Sequence, residues 1–139
     1  MDTSFLSNLN WLHVLVAAVA YFALGSVWYS ALFGKKWVAY HKINMTDPSA
    51  RQGMAAIMIG SFVWMFIVSA ALAFLVGKLN LVSAASGVKL GLLTGICFSA
   101  AAISVTYLYL KRPLGLHLID SFYHIVGQVI AAVILCAWR

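Results

Sequence analysis

At 139 residues and net charge +6, the chain has room for one domain, but with 64% apolar and only 9% charged residues and no glutamate it cannot cover that domain with charge. A water-soluble surface needs roughly a quarter charged residues, so the solvent around this chain is lipid. The nine Lys and Arg fall between apolar runs rather than in one patch, which excludes a nucleic-acid footprint. Cys97 and Cys136 lie inside apolar runs with no partner motif, so neither a disulfide nor a zinc ribbon is expected.

The first seven residues hold Asp2 and no Lys or Arg, and the apolar stretch that follows is too long for a signal h-region, so the first helix is expected to stay. A membrane span needs about 20 apolar residues at 1.5 Å rise each. The runs that qualify predict helices over 10–33, 53–76, 83–110 and 118–138, one all-α transmembrane domain over 1–139 with a loop over 34–52. Within that loop, residues 37–43 read as a short amphipathic piece on the membrane surface. Asp47-Pro48 reads as an N-cap with proline at the first helical position of the second helix. Gly77 and Asn80 mark a tight turn, and Pro113 ends the third helix.

Lys35, Lys36, Lys42, Arg51, Lys111 and Arg112 occupy the first and third connections, six cations against three (Lys78, Lys89 and Arg139) on the other side. The positive-inside rule then places both termini outside and the basic loops in the cytoplasm. Trp11 and Trp138 fit an outer aromatic belt, and Trp28, Tyr29, Trp37, Tyr107, Tyr109 and Tyr123 an inner one. Trp64, near the middle of the second helix, faces either another helix or lipid. Val27-Trp28-Tyr29 before two lysines loosely echoes Val105-Thr106-Tyr107 before Lys111-Arg112, as parallel hairpins or any two helices leaving by one interface would.

In the third helix Ser83, Gly87, Gly91, Gly95 and Ser99 recur every four residues. Small residues at this spacing let two backbones approach closely, which matters because lipid supplies no hydrophobic force between helices. The seam joins either two protomers or two helices of one chain. Lys89, about two turns in, is expected to snorkel to the outer surface.

The most polar face is on the fourth helix, where His117, Asp120, His124 and Gln128 fall within about 80° of arc. Ionisable groups at membrane depth are costly and mark bundle interiors or wet cavities. One reading makes Asp120 and His124, a turn apart, hydrogen-bonded members of a proton-coupled or cation-coordinating site open to the cytoplasm. The other places Asp120 in the first turn of its helix, favoured by the dipole and paired with Lys111 or Arg112. His117 and His124 are about 10 Å apart along the axis, too far to share an ion, so no metal is expected. His13 and Asn10 belong at the outer end of the first helix, near Trp138. No hydrolase, metalloprotease or phosphate-loop motif is present, and with Asp120 alone at depth a two-aspartate intramembrane protease is excluded; neither catalysis nor a cofactor is expected.

Trp28-Tyr29-Ser30-Ala31-Leu32-Phe33-Gly34-Lys35-Lys36-Trp37, with Asn10-Trp11 before it and Lys111-Arg112-Pro113, Ile119-Asp120, Tyr123-His124 and Trp138 after it, resembles the bacterial membrane family catalogued as domain of unknown function 1761. Asn10, Trp28, Tyr29, Gly34, Lys35 and Trp37 carry the resemblance best. It implies a four-helix protein of the bacterial cytoplasmic (inner) membrane and no catalytic residue. The chain departs from the family pattern at Ala31, where proline is common, and at Leu110, where an acid often stands. The expectation is a homo-oligomer among membrane lipids that passes or senses a small solute or ion near Asp120, His124 and Gln128. The alternative is an accessory subunit that binds another membrane protein or lipid.

Overall fold

The computed structural model of the chain describes residues 3–42 and 47–138, with the side chains of Ala50 and Arg51 outside that description. Four helices in it are long and apolar enough to cross a bilayer: Trp11–Leu32, Met54–Lys78, Ala84–Tyr109 and Leu114–Ala137, numbered here as spans one to four. No strand occurs among the described residues. This follows from the composition, because backbone in hydrocarbon must satisfy its hydrogen bonds within the segment, and an apolar run of this length does so as a helix.

Span four is the hub. Half of its apolar window is buried, against 17–22% in the other three spans. It packs on each of the others; spans one and two also pack together, whereas span three rests almost entirely on span four. Its inward residues include Leu116, Ile119, Ala131, Ala132, Leu135 and Cys136. Span four begins at Leu114, directly after Pro113, rather than near 118. Proline is compatible with a helix start, so Leu114-Gly115-Leu116 joins the helix, and the ring of Tyr40 lies where a Cβ on Gly115 would stand. Asp120 therefore sits about 9 Å along the axis from the start of the span, past the first turn where an acid would meet the dipole.

The glycine stripe faces span four of the same chain. A Cβ on Gly87 would stand 2.7 Å from Val133 Cα, and one on Gly95 would stand 2.8 Å from Ile125 Cα. Gly91 meets the backbone of Val129 and the carbonyl of Gln128. The two outer members of the stripe have other tasks. Ser83 caps the span, accepting from Ser86 N–H at 3.1 Å, and Ser99 binds Gln128.

Two stretches leave the α-helical repeat. Trp28–Leu32 and Gly95–Ala100 are π-helical, and in the first Phe33 N–H donates to the Trp28 carbonyl at 2.8 Å, five residues back. Gly34 closes that turn where a Cβ would stand 2.5 Å from the Tyr29 carbonyl, so only glycine fits. A second, shorter helix, Gly34–His41, follows at once; it covers most of the predicted surface piece, and Ile43 lies outside the described residues. Asp47 caps a separate 3-10 turn, Pro48–Arg51, accepting from Ser49 N–H at 3.0 Å, while span two starts after Gly53 in the left-handed region. That hydrogen bond holds the exposed Asp47 carboxyl below its usual range.

Three non-glycine residues among those described have positive φ: Lys42, Asn80 and Lys111. Each closes a helix. At Asn80 and Lys111 the next N–H reaches back five residues, Leu81 to Val76 at 3.0 Å and Arg112 to Tyr107 at 2.9 Å. Asparagine tolerates this conformation, but lysine costs about 1–2 kcal/mol where glycine would cost little. Elsewhere, Trp64 is 69% exposed and turned to the lipid side, Lys89 is exposed, and His13 stacks on Trp138 at 4.1 Å.

Candidate functional site

The polar face of span four is satisfied almost wholly by hydroxyls from spans one and three. Asp120, 6% exposed, accepts Tyr29 O–H on Oδ1 at 2.6 Å and Tyr107 O–H on Oδ2 at 2.5 Å. One turn on, His124 Nδ1 shares a hydrogen bond with Tyr21 O–H, and a turn further Gln128 Nε2 donates to Ser99 Oγ. His117 lies toward the start of the span, where its Nε2 bonds the Arg112 carbonyl at 3.1 Å and its ring packs on Tyr107.

The four residues expected to share a face therefore do share it, but each serves a different partner. Asp120 and His124 are not hydrogen-bonded to each other, because each is already held by a tyrosine of a neighbouring span. Lys111 and Arg112 are exposed, and both oxygens of Asp120 are occupied by phenols rather than by a cation. The anchoring pair with Lys111 or Arg112 is absent among the described residues.

The inner aromatic belt is also corrected. Trp28, 9% exposed, donates its indole N–H to the Ile119 carbonyl at 3.1 Å. Tyr123, 3% exposed, donates to the Tyr21 carbonyl at 3.3 Å, and its hydroxyl lies 2.9 Å from where a Gly25 Cβ would stand. Both rings turn inward because each carries a donor that lipid cannot satisfy, and a backbone carbonyl of the neighbouring span accepts it. Of that set, Tyr109 is fully lipid-facing at 86% exposed.

The sequence reading missed Tyr21 and Tyr107 as hydroxyl donors and Ser99 as an acceptor. The available signal was Asp120 itself, a carboxylate at depth whose own helix offers it only His117 and His124, so that hydroxyl donors from other helices were to be looked for. The echo between Tyr29 and Tyr107 also acquires a meaning: the two tyrosines meet at the two oxygens of one carboxylate. Both π-helical stretches lie in the spans that supply these hydroxyls, a placement often found at functional sites.

Of the remaining motif residues, Trp37 adjoins this centre and Asn10 lies at the other end of span one. Asn10 caps span one, accepting from Leu12 N–H at 3.2 Å and His13 N–H at 3.4 Å. Trp37 packs edge-on against Tyr29, with ring centres 5.7 Å apart. Two Oγ atoms, of Ser69 and Ser121, are buried without a hydrogen-bond partner; Ser121 directly follows Asp120.

In comparison with known proteins, residues 12–136 match a family described as protein of unknown function (DUF1761). No curated protein and no solved structure matches. The matched range contains all four residues of the polar face and every tyrosine that serves them. The chain belongs to the DUF1761 family.

Proposed function

We propose that the protein senses or passes a proton or small cation at Asp120, toward the basic end of span four. One observation carries this reading. A carboxylate buried at membrane depth is held by phenols from two different helices with no basic residue on it. Such a group is costly to keep in a bilayer and is by default a functional-site hypothesis. The groups around Asp120 are Tyr29 from span one and Tyr107 from span three, each on one carboxylate oxygen, with His124 one turn on along its own span. Loading or unloading Asp120 would change how spans one and three are held on span four. The reading needs no oligomer, since the glycine seam is used inside the chain.

The test is flux into liposomes holding the purified protein, across protons, monovalent cations and small neutral solutes, with Asp120→Asn alongside. Proton or cation flux in the wild type that is largely lost in the variant is expected. Equal flux in both removes Asp120 from the function. No flux from either, combined with no pH-dependent change in tyrosine or tryptophan fluorescence, favours the accessory-subunit reading. That second reading has its own support: nearly every polar group on the face has its partner within the chain, as a purely structural bundle would arrange.

We further infer that both termini are outside and the two basic loops are in the cytoplasm of a bacterial inner membrane, from the six cations against three. Lys36→Cys is then expected to resist an impermeant maleimide in intact cells and to react after permeabilisation. Labelling in intact cells would reverse the orientation.

A further inference from the structure

We propose that the basic end of the bundle is a docking surface for anionic phospholipid headgroups. Lys35, Lys36, Lys42, Lys111 and Arg112 are all exposed at this end. None of them forms an ion pair among the described residues; Asp47, the carboxylate nearest Lys42 in the chain, is engaged with Ser49, and Asp120, the one nearest Arg112, with two phenols. The cations belong to two segments that the fold ties together. Helix Gly34–His41 touches the start of span four, with the Tyr40 ring against Gly115, and His117 holds the Arg112 carbonyl immediately before that span. Trp37 and Tyr40 hold this helix against the bundle, Trp37 on Tyr29 and Tyr40 on Gly115, so its lysines are fixed at that end.

The backbone supplies an independent argument. Lys42 and Lys111 occupy left-handed helix-closing positions where glycine is the unstrained choice. Strain of this kind persists where something else requires the side chain. At both positions what lysine adds over glycine is a long cationic arm at the membrane surface, and both lie at the same end. Five uncompensated cations match a phosphate-bearing lipid surface, to which each Lys or Arg contributes about fivefold in affinity at close range.

The inference stands apart from the reading of Asp120 and is tested without it. The purified protein is placed in phosphatidylcholine bilayers carrying a trace of spin-labelled phosphatidylglycerol or spin-labelled phosphatidylcholine, and the motionally restricted fraction of each label is measured. The wild type should restrict the anionic label several-fold more than the zwitterionic one, with the excess shrinking in high salt. The double variant Lys42→Gly/Lys111→Gly should be folded at least as stably as wild type yet lose most of that preference. Lys35→Gln/Lys36→Gln should reduce it further. Equal restriction of both labels by the wild type overturns the proposal, as does an unchanged preference in all these variants. If soluble glycerol phosphate displaces the anionic label at low concentration, the site reads a free phosphate ester instead, and the lipid assignment falls.

Discussion

Gly91→Leu is expected to cost the protein about 3 kcal/mol or more, enough to lose most of the fold in mild detergent. Even a Cβ at this position would stand 2.6 Å from Val129 N and 2.8 Å from the Gln128 carbonyl, and a leucine adds three more carbons. All of the obstructing atoms are backbone, so no rotamer change relieves the clash. Span three would have to move outward. With it would go the Tyr107 bond to Asp120 and the Gln128 bond to Ser99. Gly60→Ala is the matched control. Nothing lies within 4 Å of that position, and a change within about 1 kcal/mol is expected. Unfolding in mixed detergent micelles, followed by tryptophan fluorescence, reads both. A Gly91→Leu protein as stable as wild type would mean that the stripe does not face span four and is free to join protomers.

The second large effect is at Asp120. Asp120→Ala removes the acceptor from two half-buried phenols at once. An orphaned buried hydroxyl costs about 1–3 kcal/mol in water-soluble proteins, but interhelical hydrogen bonds in membranes average about 0.6 kcal/mol, because the unfolded chain in lipid also finds partners. For two bonds, the expected loss is therefore about 1–2 kcal/mol. Tyr29→Phe/Tyr107→Phe should do at least as much damage, since it leaves the carboxyl group without donors. The combined variant, with all three changes, should recover much of the loss because nothing polar is then left unpaired. If the triple variant is as unstable as the sum of the two, the bonds do not act as a unit, and the centre described here is not what holds spans one and three.

How much of this could be read in advance depends on range. Span lengths and the break at Pro113 follow from runs along the chain, and so did the close approach at Gly87, Gly91 and Gly95, which needs only a spacing of four. The partners of Asp120 depend on the register between spans, which single-chain periodicity does not contain. The π-helical turns at Trp28–Leu32 and Gly95–Ala100 make this harder, because each shifts the phase of the residues after it. The aromatic belt misled for the same reason. Tyr29, Tyr107 and Tyr123 sit at belt height, but nothing local tells a ring that anchors to headgroups from one that turns inward to a carboxylate or a backbone carbonyl.

The central place of span four also bears on the order in which the protein is built. Chains emerge from the ribosome N-terminus first, so this helix is made after the other three. Spans one and two pair with each other and could settle on arrival. Span three, resting almost entirely on the helix that follows, has to wait in the bilayer with Ser99 and Tyr107 unmet and its glycine groove open to lipid. The four spans thus come together only when the last of them is made, and a nascent chain cut off before residue 114 would present quality-control proteases with a loose helix rather than a smaller bundle.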